Sequence, residues 1–296
     1  MGLNIWGWCE GGEVHLGISE GPVPHVLELS RIGIGDADTL YAAVRAQGTA
    51  GLATALRTDP VRRRIEAHEL VFPLPVSEIW AAGVTYERSR DARRDESRGF
   101  DAMYLKVYDA VRPELFFKGT GRRMAGPNET MGIRPDAHWH VPEPELTVIL
   151  SPDGGIFGFT CGNDLSSRDI EAENPLYLPQ AKIFHKSAAL GPSVVLAGTA
   201  DPQAMRITLE IRRDGASVFS GSVGTGRMKR TVDDLSSYLG IAWPLEPWTA
   251  LMTGTGIVPP DAFALQDGDE IAIEIDAIGT LRNSVRTIAS DWASLG

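Results

Sequence analysis

Apolar and polar residues alternate through "WGWCEGGEVHLGISEG" on either side of Gly11 and Gly12, and this period of two predicts short strands joined by turns. The spacing then changes. In "DADTLYAAVRAQ" and "GLATALRTDPVRRRIEAHEL" the apolar positions recur as on a helix, with Asp36 or Asp38 placed as a cap. Together these elements make a small N-terminal α/β module over residues 1–73, ending near Pro73. Beyond "FPLPVSEIW" come many short apolar runs, "LTVIL", "IFGFTCG", "PSVVLAG", "ITLEIRRDG" and "EIAIEIDAIGTL", separated by Gly, Pro and Asp. Such spacing predicts an antiparallel, β-rich domain of sandwich or roll type over residues 74–296, with helices only as inserts such as "TVDDLSSYLG". The expected class is α+β.

One strand breaks its own pattern at its start. "HWHVPEPELTVIL", residues 138–150, puts Glu143 and Glu145 on one face ahead of buried positions, because side chains two apart in a strand point the same way. "SPDGG", residues 151–155, is a turn signal before "IFGFTCGND", so the two runs should form a hairpin. A loop centred on Asp153 and Gly154 sets Val148 opposite Phe159 and Glu143 opposite Asp164. An odd-numbered loop would flip the face unless a bulge restored it. In that register three carboxylates converge without matching cations, and a buried trio of that kind calls for bound positive charge. Hard oxygen ligands favour Mg²⁺, with Mn²⁺ or Ca²⁺ as alternatives, and three ligands leave positions open for substrate.

Composition narrows the partners. A net charge of -11 disfavours nucleic acid and anionic membrane, and no apolar run approaches the ~20 residues that span a bilayer. The start "MGLNIWGWCEGG" lacks a secretory pattern, so a cytoplasmic setting is the expectation. Cys9 and Cys161 are too few for a disulfide framework or a zinc site, and both are expected to be buried. No phosphate loop is present. Other chemistry is sparse. Lys182 and Lys186 in "QAKIFHKSAALGP" can stabilise a developing anion, and Glu114 in "RPELFFKG" is a candidate base. His138 and His140 are better read as structural or surface residues than as ligands.

The segments "AAGVTYERS", "PELFFKG", "PEPELTVIL", "GFTCGNDLSSRDIE", "AKIFHKSAALGP", "LMTGTGIVPP" and "LQDGDEIAIEIDAIGTLRNSV" together resemble the fumarylacetoacetate hydrolase family. The resemblance implies a mixed β-roll, metal ligands at Glu143, Glu145 and Asp164, an active-site lysine at Lys182, and substrate contacts at Thr255 and Tyr86. It also implies a His a few positions after Tyr86 in members that hydrolyse carbon-carbon bonds, where this chain has Ser89, here taken as substrate-binding. "GVTYERS" with "PELFFK" is similar to the branch that dehydrates 2-keto-3-deoxy pentonates, with Glu114 as the proton-transfer group. The expectation is an Mg²⁺-dependent dehydratase acting on a small 2-keto acid, and the alternative is a hydrolase of 2,4-diketo acids. A noncatalytic binding module is the reading from another class. The resemblance further implies a homodimer or homotetramer, and "ERSRDARRDESRGFD", residues 87–101, is a candidate lid.

Overall fold

The computed structural model describes residues 2–87, 106–241 and 244–289. Strands β1 (Leu3–Glu10), β2 (Glu13–Glu20) and β3 (His25–Glu28) form an antiparallel meander, followed by helix α1 (Ala37–Thr58) and the short strands β4 (Arg63–Arg64) and β5 (Leu70–Val71). Next come β6 (Glu78–Gly83), β7 (Glu114–Thr120), β8 (Thr130–Ile133), β9 (His140–Val141), β10 (Pro144–Leu150), β11 (Ile156–Asp164) and β12 (Ser166–Ser167). Helices α2 (Arg168–Glu173) and α3 (Leu178–Lys182) precede β13 (Ala188–Leu196), β14 (Arg206–Arg213) and β15 (Ala216–Gly224). Helix α4 (Val232–Leu239), β16 (Ala250–Met252), β17 (Glu270–Ile275) and β18 (Gly279–Thr287) complete the described chain.

Among the described residues, eleven strands share one sheet in the order β4-β3-β2-β1-β13-β11-β10-β16-β6-β7, with β5 beside β1. A second sheet runs β15-β14-β17-β18-β8, and β9 pairs with β12. Two pairings, β16 with β6 and β18 with β8, are parallel, which makes both large sheets mixed. The pairing of β1 with β13 carries the strands of the first 73 residues into the large sheet.

Burial explains why "LTVIL" does not alternate. Leu146, Val148 and Leu150 pack in one cluster with Ile207, Leu209 and Ile211 of β14 and Ile271 and Ile273 of β17. On the other face Ile149, with Ala250 and Met252 of β16, belongs to a cluster that includes Leu40, Leu52 and Leu56 of α1. A strand buried on both faces needs apolar residues at nearly every position. Each such side chain contributes roughly 1.5–3 kcal/mol by leaving water.

Two local expectations are corrected. Helical spacing runs on to Leu70 in the sequence, yet α1 stops at Thr58, because Pro60 disfavours helical backbone at the residue before it and Asp59 is extended, with φ -95° and ψ 115°. Asp36, rather than Asp38, caps α1, its carboxylate accepting the Thr39 N–H at 2.8 Å. Cys161 is buried as expected, but Cys9 is exposed near the β1–β2 turn. Among the described residues no helix is long and apolar enough to cross a membrane.

Candidate active site and metal centre

Strand direction brings five strand ends to one edge of the large sheet. β10 is antiparallel to β11 and β16, β16 is parallel to β6, and β6 is antiparallel to β7. The starts of β10 and β7 therefore lie beside the ends of β11, β16 and β6. Glu143 and Glu145 stand at the first of these ends, Asp164 closes β11, and Glu114 opens β7. Leaving β11, the chain folds back over the same edge as α2 and α3, which bring Arg168, Glu171 and Lys182 into the same cleft.

The hairpin has the expected register, with Val148 opposite Phe159 and Glu145 opposite Gly162. The pairing slips once between Ile149 and Leu150, where a bulge absorbs the odd residue of the 151–155 loop and keeps both glutamates on the intended face. At the open end the Asp164 N–H donates to the Glu143 carbonyl at 3.0 Å. One oxygen from each of Glu143, Glu145 and Asp164 lies within 4.8 Å of the others, and all three residues are buried.

The trio is not without cations, which corrects the charge argument made from sequence. Lys182 Nζ lies 2.5 Å from Glu143 Oε2 and 3.1 Å from Asp164 Oδ2. Arg168 Nη1 donates to Glu143 Oε1 at 3.0 Å, and Lys118 Nζ lies 2.6 Å from Asp164 Oδ1. Glu145 is situated differently. It accepts the Gly254 N–H at 2.6 Å, but burial, and then the charges of Asp164 and Glu143, hold its carboxyl well above the ordinary carboxylate range.

These side chains fit a divalent ion. The donors are hard oxygens, as Mg²⁺ prefers. Five carboxylates, Glu114, Glu143, Glu145, Asp164 and Glu171, line the cleft against Arg168 and Lys182, with Lys118 behind Asp164.

Backbone geometry holds the walls close. Gly254 has φ +93°, and a Cβ there would sit 2.0 Å from Thr85 Oγ1, so only glycine lets this N–H reach Glu145. A Cβ on Gly83 would lie 2.1 Å from Glu114 Oε2, which shows how closely that carboxylate covers the end of β6.

The cleft therefore gathers Glu143, Glu145, Asp164, Lys182, Glu114 and Thr255. Tyr86 is not among its lining residues. Its ring packs where a Cβ on Gly256 would come within 2.6 Å, behind the turn after β16, and burial, then the Glu145 charge, raise its phenol pKa. Ser89, and the proposed lid apart from Glu87, lie outside the described residues. Lys186 points elsewhere, to Glu129 at 2.8 Å. His138 is exposed, and buried His140 is bonded to Ser167 and to the Arg134 and Ala137 carbonyls, so neither histidine joins the trio. Sequence reasoning missed Lys118, Arg168 and Glu171. A charged residue inside "ELFFKG", a run otherwise fit for burial, was the available signal for Lys118.

Mixed sheets that gather a buried trio of carboxylates beside a lysine are suited to a metal-dependent enzyme. The chain belongs to the fumarylacetoacetate hydrolase family, since residues 78–286 match the family described as fumarylacetoacetate (FAA) hydrolase C-terminal. It is 46% identical over 225 residues to the probable 2-keto-3-deoxyxylonate dehydratase of Haloferax volcanii, a match covering 76% of this chain and 77% of that one. It is 43% identical over 218 residues to the 2-dehydro-3-deoxy-D-arabinonate dehydratase of Saccharolobus solfataricus, covering 72% of this chain and 73% of that one. The fold superimposes with a TM-score of 0.80 and 32% identity, over 98% of this chain and 100% of the other, on a 2-keto-3-deoxy-D-arabinonate dehydratase complexed with magnesium and 2,5-dioxopentanoate.

Proposed function

We propose that the protein is an Mg²⁺-dependent hydro-lyase that removes water from a 2-keto-3-deoxy sugar acid, a pentonate giving 2,5-dioxopentanoate. One observation carries the reading: a buried oxygen trio shares a cleft with a lysine ammonium and a separate carboxylate, Glu114. The relatives named above support the substrate class, and the magnesium complex of the structural neighbour supports the ion.

Glu143, Glu145 and Asp164 would hold the ion. When bound, it supplies Lewis-acid stabilisation for the enolate of a 2-keto acid. Lys182 places its ammonium beside the same oxygens, where it stabilises negative charge developing on the substrate. Glu114, at the start of β7, takes the proton from carbon 3 and gives it to the hydroxide leaving carbon 4. The resulting alkene still carries the carbon 5 hydroxyl; a proton moved from carbon 5 to carbon 3 shifts the double bond to an enol between carbons 4 and 5, and the enol hydroxyl proton moved to carbon 4 yields the aldehyde. These later transfers use the same pair of groups, Glu114 and Lys182. The substrate tail extends toward an adjoining 350 Å³ pocket, which shares Glu114, Glu171 and Leu178 with the metal side. Thr255 flanks the bound acid from the turn after β16. Tyr86 supports that turn from behind, a position from which it acts on the site without lining it.

The protein acts on a small molecule in the cytoplasm as a homodimer or homotetramer. A product assay tests the activity: Mg²⁺, a panel of 2-keto-3-deoxy pentonates and hexonates, and a 2,4-diketo acid. A 2-keto aldehyde that disappears with chelator is the expected result. Release of pyruvate from the diketo acid instead would establish carbon-carbon hydrolysis.

A further inference from the structure

We infer that Lys118 is a positioning residue, which aims Asp164 at the metal site and ties the Lys182 segment to it; the inference rests on the metal reading above. Glu114 and Phe116 of β7 face the cleft at the strand's period of two. Position 118 is next on that face, and there the pairing with β6 slips. Ile79 faces Gly119 while Trp80 faces Phe117, so Lys118 is the extra residue of a β-bulge. Bulges redirect side chains, and this one sends Lys118 beneath the cleft rather than into it.

The side chain is 0% exposed and ends among three acceptors. Its ammonium donates to the Leu165 carbonyl at 2.8 Å and to the Lys182 carbonyl at 2.6 Å, and lies 2.6 Å from Asp164 Oδ1. Two of its N–H donors are taken by the carbonyls, and the charge itself faces Asp164 Oδ1 as an ion pair. The Phe184 ring, 5.7 Å from Nζ, covers the site from another side. Asp164 Oδ1 is thereby fixed on the interior side, and Oδ2 is turned toward Lys182 and Glu143.

The two lysines divide the work. Lys182 lines the cleft and meets the substrate, whereas Lys118 is committed to the protein and orients both Asp164 and the backbone that carries Lys182. A buried ion pair is weak as a stabilising device compared with an apolar side chain of similar volume. Its value here lies in geometry, as for the outer partners of metal ligands, whose loss costs 10–100-fold in metal affinity or activity.

The test uses Lys118→Met, which keeps the length and removes the charge, beside Lys118→Gln, which keeps an N–H donor. Mn²⁺ affinity is followed by electron paramagnetic resonance without substrate, with circular dichroism to verify folding. Folded Lys118→Met is expected to bind Mn²⁺ at least about 10-fold more weakly, with kcat falling while KM at saturating metal changes little, and Lys118→Gln to lie between it and the wild type. A folded variant with wild-type Mn²⁺ affinity overturns the inference. If neither variant folds, a crystal structure of the wild-type protein with Mg²⁺ decides: Lys118 stays on Oδ1 and both carbonyls while Oδ2 meets the ion, or Asp164 ligates through Oδ1 and the inference fails. Wild-type protein that binds no Mn²⁺ removes the metal reading itself, an outcome distinct from the first two.

Discussion

Burial and the charges of Asp164 and Glu143 act together on Glu145. Glu143 has both oxygens on cations and Asp164 lies between two lysines, but the hydrogen bond resolved at Glu145 comes from one backbone N–H. That N–H exists in the right place only because residue 254 lacks a side chain. Gly254→Ala should therefore destabilise the protein by about 1–3 kcal/mol, from positive φ and a clash with Thr85, and should lower activity further by moving the N–H away from Glu145. Urea unfolding beside a rate measurement separates the two effects. Glu143→Gln acts through the ion instead. It should leave the unfolding transition cooperative while metal affinity falls and activity drops about 10²-fold or more, since a Lewis acid supplies several kcal/mol to the barrier. Full activity of this variant without added metal would sink the metal mechanism.

At the scale of elements, legibility followed the range of the interaction. Glu143, Glu145 and Asp164 were readable because a hairpin is local: strand period, turn residues and register link them within 22 positions. Arg168 and Lys118 were not. Arg168 reaches Glu143 only because α2 folds back over the sheet edge, and Lys118 reaches Asp164 only through a bulge set by pairing with β6. Neither a helix's return path nor a bulge's position is written in side-chain period, and the expected lack of cations failed for that reason. The β9–β12 strap offers a test of burial at this scale. His140 Nε2 donates to the Arg134 and Ala137 carbonyls, so its neutral Nδ1 accepts from the Ser167 hydroxyl. Burial pushes its pKa below the ordinary 6.5, against the raising influence of those carbonyls and of Asp169. A base with a lowered folded pKa contributes fully above the unfolded value and loses that contribution as pH falls through the folded one. Stability should therefore fall on acidification below about pH 6.5, and His140→Gln should flatten this slope, as urea titrations at several pH values would record. An unchanged slope would place the acid sensitivity elsewhere.

For the whole molecule, two sheets packed through Leu146 and Val148 on one side and Leu209, Ile211 and Ile273 on the other give a rigid base, while the carboxylates gathered at one sheet edge work against stability. The repulsion of Glu145 by Asp164 and Glu143 outweighs the attraction of Lys182 until a divalent cation arrives, so activity and metal-free stability should trade off. Glu145→Gln makes the trade measurable. In chelator the variant should melt above the wild type, because a neutral amide replaces a buried carboxylate that Asp164 and Glu143 repel. With Mg²⁺ at 100 times its Kd the order should reverse: the wild type gains about 2.7 kcal/mol by mass action, roughly 5 °C in a chain of this size, while the variant, lacking a ligand, gains little. Differential scanning calorimetry with and without Mg²⁺ reads both arms. Parallel shifts of the two proteins on adding Mg²⁺ would show that the ion binds elsewhere, and equal melting in chelator would show that Glu145 is already neutralised by a proton at no cost to the fold.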